Sequence, residues 1–136
     1  MLTFSELTYT QHWLVAFVFT QAVEVPIYTL ALTRLGGQLR APKTEAGPPL
    51  PLSLRLFVAF AASLVTHPVV WFVFPLLMQT GVGYVPMVAA AELFAVVIEA
   101  LWLQRCRVSH PARWSVIANA SSLCVGLGLR YAWGRP

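Results

Sequence analysis

Four stretches of mostly apolar residues dominate this chain, at roughly 12–33, 54–78, 85–104 and 113–133. Each has about the 20 residues that a helix needs to cross the hydrocarbon of a bilayer. Inside lipid, backbone polar groups must be paired within a helix or around a closed barrel. Barrel strands alternate residue by residue over about ten positions. The runs WLVAFVF and MVAAAELFAVVIEALWL do not alternate, so the stretches read as helices.

Composition closes off the other fold classes. The chain has 136 residues, 58% of them hydrophobic and only 10% charged. Soluble domains run about 45–50% apolar and about 25% charged, and a chain this short has too little interior to hide the excess. A soluble globular domain, a disordered chain and a disulfide-stapled module are thereby excluded. Cys106 and Cys124 are too few for a disulfide framework. The expected fold is all-α: an integral membrane four-helix bundle with inward-facing polar residues, forming a single membrane domain over 1–136.

The connectors carry the charge that orients such a protein. Residues 34–53 hold Gly36, Gly37 and four prolines and read as a loop. Residues 79–84 read as a tight turn, and 105–112 as a short basic loop. Arg34, Arg40, Lys43, Arg55, Arg105, Arg107 and Arg113 belong to the first and third connectors and their helix edges. Arg130 and Arg135 lie toward the C-terminus, the first near the end of the last stretch and the second beyond it. Seven against two places loops 34–53 and 105–112 in the cytoplasm and both termini outside, in an inner or plasma membrane. Trp13, Tyr84 and Trp133 then lie at the outer interface. The net charge of +4 is accounted for by this orientation signal, and no nucleic acid is expected as a partner. The N-terminus carries Glu6 and no Lys or Arg, unlike a signal peptide, so the first stretch is expected in the mature protein.

Polar residues inside the stretches are the candidate site. An ionised side chain at a helix centre costs about 2.5–3.5 kcal/mol on insertion scales, so such groups face protein or water and are functional candidates. In the first stretch Gln21, Glu24 and Tyr28 share a face, with Pro26 freeing the carbonyl of Ala22. In the second, Ser63, Thr66, His67 and Pro68 form a polar knot, and Pro75 frees the carbonyl of Trp71. In the third, Glu92 and Glu99 point one way, about 10 Å apart along the axis. In the fourth, Ser115, Asn119, Ser122 and Gly126 make one small, polar face suited to close helix packing, with Asn119 at the depth of Glu99. Counted from the helix ends, Glu24 and His67 lie mid-depth, Glu92 nearer the outside and Glu99 nearer the cytoplasm. Helix-gluing hydrogen bonds are the alternative role for all of them.

The order Glu24-x-Pro26, Thr66-His67-Pro68, Glu92 with Glu99, then Asn119-x-x-Ser122 resembles small four-helix bacterial membrane proteins that are uncharacterised. The resemblance spans most of the chain and implies the four-helix membrane fold, but no activity. Those proteins often carry Asn three residues before the Thr, where this chain has Ser63.

No HExxH, CxxC, GxSxG, GxxxxGK[ST] or GxGxxG occurs. No cofactor is expected, and no metal cage is spelled out, while the Glu/His set leaves room for a bound cation. Titratable groups spread through the depth suit a relay, so the expected function is translocation of a proton or small cation along Glu24, His67, Glu92 and Glu99. Gln21, Tyr28, Ser63, Thr66, Asn119 and Ser122 are the supporting polar groups. The alternative is a non-catalytic accessory or assembly subunit of a larger membrane complex, and a third reading is a small intramembrane enzyme on a lipid-like substrate. Expected partners are membrane lipid and further copies in a homo-oligomer, or a larger membrane complex.

Overall fold

The computed structural model of the protein describes residues 8–33 and 50–132. Arg34, Arg40, Lys43, Trp133 and Arg135 lie outside the described residues, as does most of the first connector. Everything regular among the described residues is helical: α1 (Tyr9–Ala31), α2 (Leu52–Phe72), a 3-10 segment (Phe74–Thr80), α3 (Tyr84–Arg105) and α4 (Pro111–Ala132).

Local chemistry sets each boundary. Helix α1 starts three residues before the apolar stretch because Thr8 and Gln11 form a capping box. The Gln11 side chain accepts from the Thr8 N–H at 2.7 Å, and the Thr8 hydroxyl accepts from the Gln11 N–H. Pro26 and Pro68 are carried inside their helices. The expected single helix over 54–78 is instead cut after Phe72. Pro75 has no N–H to return to the carbonyl of Trp71, and the chain tightens into 3-10 geometry. The Tyr9 hydroxyl, from the start of α1, donates to that carbonyl. Gly81 then ends the segment at φ 87°, a left-handed conformation that glycine adopts without penalty.

The α3–α4 connection is short because α3 ends in a Schellman motif. Arg107 sits at φ 58°. Its N–H donates to Gln104, and the Val108 N–H donates to Leu103. Val108 and Leu103 are both buried in the same apolar cluster. Pro111 opens α4, where a missing N–H is harmless.

Helices α1, α2, α3 and α4 pack in a closed circle, each against its chain neighbours and α1 against α4. Their outward faces are apolar, with Val18, Phe57, Leu93 and Val85 60–75% exposed. Their inward faces hold Gln21, Glu24, Ser63, Thr66, Glu99, Ser115 and Asn119, all buried. This polarity is the reverse of a water-soluble domain. Three helical segments, Tyr9–Ala31, Leu52–Thr80 and Tyr84–Arg105, are long and apolar enough to cross a membrane. Helix α4 has the length, but Ser115, Asn119, Ser121, Ser122 and Gly126 lower its hydropathy.

Candidate functional site

All four helices contribute to one hydrogen-bonded circuit. Helix α1 supplies Glu24, α3 supplies Glu99, and α2 and α4 each supply a pair of donors three residues apart. Ser63 donates to one oxygen of Glu24, and Ser122 to the other at 2.7 Å. Thr66 donates to one oxygen of Glu99 at 2.7 Å, while Tyr28 and the Asn119 amide, at 2.7 Å, donate to the other. The circuit closes through backbone carbonyls. Thr66 is 3.3 Å from the carbonyl of Ser63, and Ser122 is 3.0 Å from that of Asn119. Three-residue spacing places two donors on one helix face, which lets α2 and α4 each reach both acids.

Glu24 and Glu99 are each 1% exposed. Hydroxyl and amide groups surround them, and among the described residues no cation pairs with either carboxyl. Two ionised carboxyls would therefore hold two uncompensated charges in an interior with little water, at high cost. Protonation of the acids or a bound cation reduces that cost.

The structure brings these two acids together through shared donor helices, with Ser63 and Thr66 one turn apart on α2 and Ser122 and Asn119 one turn apart on α4. Glu92, two turns from Glu99 on α3, is half-buried and makes no hydrogen bond among the described residues. His67 lines the same cavity as the acids but bonds neither Glu24 nor Glu99. Its neighbour Thr66 faces the circuit, and one residue further round the helix its ring lies among aromatics, 5.2 Å from Phe17 and 6.0 Å from Trp71 between centroids. Its Nδ1 is sealed from solvent and has no hydrogen-bond partner among the described residues. Gln21 donates to the carbonyl of Phe60 at 3.4 Å, at the α1–α2 contact, and so stands apart from the circuit.

On one side of the circuit lies a partly enclosed cavity of about 290 Å³. Glu24, Glu92, Glu99 and His67 all line it, with Phe19, Thr20, Trp71, Leu123 and Leu127. On the other side, toward the C-terminal end of α1 and the 106–110 connector, Tyr28, Ala31, Ala59, Ala62, Leu103 and Ala118 pack without exposed surface beyond 2%. Access is thus one-sided.

The polar face of α4 divides in two. Ser115 is fully buried and donates to the carbonyl of Val96 at 2.8 Å, tying α4 to α3. Gly126 instead borders the cavity, and a Cβ there would meet Phe19 at an ordinary 3.8 Å, so close packing does not require glycine at this position. Among the described residues no three His, Cys, Asp or Glu side chains converge as ligands of one metal ion. Cys106 and Cys124 are free thiols. The pairing of Ser63 with Ser122 on one acid and of Thr66 with Asn119 on the other was not read from the sequence. The two i, i+3 donor pairs were its only visible signal. No protein family, curated protein or solved structure matches the chain.

Proposed function

We propose that this chain is a four-helix bundle embedded in a membrane, with α4 as its fourth span, and that it translocates a proton or small cation. Apolar outward faces and a polar interior support the embedding. The orientation follows from the basic residues, with the 34–53 and 105–112 connectors in the cytoplasm and the cavity facing outward.

The observation that carries the transport reading is the pair Glu24 and Glu99, buried in one circuit without a counter-cation, at the floor of a cavity open to one side. A carboxyl pair of this kind needs a mobile positive charge to be neutral. The packed opposite end argues for a carrier that exposes the acids to one side at a time, not for a continuous pore. Homo-oligomers or a larger assembly would enclose the polar faces further.

Proteoliposomes containing the purified chain test the reading. A cation or proton flux is expected, and Glu24→Gln or Glu99→Gln should abolish it while leaving the protein folded, since Gln keeps the shape but cannot titrate. Wild-type protein without flux, under any imposed proton or alkali-cation gradient, would exclude transport.

One observation favours the accessory-subunit reading. Every oxygen of Glu24 and Glu99 already has a donor, as a purely structural clasp requires. Co-purification of a second membrane protein, retained in the Glu24→Gln and Glu99→Gln variants, would favour that role.

A further inference from the structure

We propose that the cavity above the carboxyl circuit binds an aliphatic diammonium ion, with one head at Glu24 and Glu99 and the other at Glu92, an inference that rests on reading the circuit as a cation site. Three observations lead there. The first is unequal satisfaction: the circuit is fully bonded, but Glu92, which lines the same cavity, makes no hydrogen bond among the described residues and so fits N–H donors from a ligand.

The second is spacing. Glu92 and Glu99 lie on one face of α3, about 10 Å apart along the axis. The cavity therefore has acid at two levels, and a single ammonium reaches only one. The third is the wall between them, where Ala95, Val70, Leu123 and Phe19 are apolar. A chain of methylenes matches such a wall. A cavity of about 290 Å³ is at the small end of ligand sites, which suits a short diamine. Charge also balances: two ammonium heads against three carboxyls leave one proton, shared within the circuit. A monoamine of the same length leaves one acidic level unpaired, and sites built to bond a polar group reject ligands lacking it.

The test uses the full chain in lipid nanodiscs, with pentane diamine (cadaverine) and pentylamine as probes in calorimetric titrations. Cadaverine should bind at least about tenfold more tightly than pentylamine. Glu92→Gln should bring cadaverine to the pentylamine level without changing pentylamine binding, which also reports that the variant is folded. Glu92→Asp, whose carboxyl is withdrawn by one methylene, should move the preference toward hexane diamine. Equal binding of diamine and monoamine, no binding of either, or a cadaverine preference that survives Glu92→Gln would overturn the proposal. Flux in proteoliposomes without any amine keeps the two readings apart. Flux with no cadaverine binding overturns the diammonium site alone, while cadaverine binding with no flux upholds the site and removes transport.

Discussion

Ser63 and Thr66 stand one turn apart on α2 and serve different acids, Ser63 donating to Glu24 on α1 and Thr66 to Glu99 on α3. Helix α4 repeats the arrangement with Ser122 and Asn119. Helices α2 and α4 thus each hold both acids, and Tyr28 of α1 adds a third donor to Glu99.

This connectivity predicts a pattern of couplings. Ser63→Ala and Ser122→Ala each remove a donor from Glu24 and should each cost about 1–3 kcal/mol of stability in detergent. Because they share an acceptor, their double mutant should deviate from additivity by about 0.5 kcal/mol or more. Ser122→Ala with Thr66→Val, which act on different acids, should lie closer to additive. Equal coupling in both cycles would contradict the assignment of donors.

Tyr28→Phe keeps the ring that fills the core and removes only the hydroxyl that meets Glu99. It should lower thermal stability by about 1–3 kcal/mol. If the circuit serves only to hold helices together, flux and partner binding should fall only in proportion to the folded fraction.

Packing should differ sharply between the two ends. Ala62 is 2% exposed and Ala118 fully buried, so Ala62→Leu or Ala118→Leu should overpack the core and cost about 1–3 kcal/mol or more. Gly126→Ala should be neutral or stabilising by up to about 1 kcal/mol, because the added Cβ has room and alanine favours helix. Thermal denaturation in detergent reads both. A destabilised Gly126→Ala would mean that α1 and α4 approach more closely than described.

Pro75→Ala restores an N–H able to bond the Trp71 carbonyl. The segment Phe74–Thr80 should then extend α2 in α-helical form, and hydrogen exchange over these residues should slow. Exchange unchanged from the parent would show that something other than the proline sets the break.

Orientation is open to a direct check. In a background with Cys106→Ser and Cys124→Ala, Thr80→Cys should label with an impermeant thiol reagent in intact cells, and Gln38→Cys should be shielded. The opposite pattern would invert the assignment of the cavity to the outside.

The helices were legible because their apolar stretches are long, and Glu24, Tyr28, Glu99 and Asn119 were legible because polar groups stand out in such stretches. Their meeting was not. A sequence gives positions along each helix but not which faces of neighbouring helices meet, so the donors on α2 and α4 could not be assigned to one acid or the other. Thr66 and His67 read as one knot, yet adjacent helical residues point about 100° apart, and only Thr66 reaches an acid. The break before Pro75 was foreshadowed by its missing N–H. The response of Tyr9, 62 positions from Trp71 along the chain, was beyond any local pattern.

The alanines below the acids carry a kinetic implication. A gate built from large side chains opens when a rotamer flips, on picosecond to nanosecond scales. Ala31, Ala59, Ala62 and Ala118 have no rotamer to change, Tyr28 is tethered through its hydroxyl, and Leu103 is fully buried among them. Continuity through the lower half of the protein would require whole helices to part, a collective motion of microseconds to milliseconds. Any turnover that passes by this route is therefore paced by backbone displacement, and its rate should respond to the thickness and stiffness of the surrounding lipid.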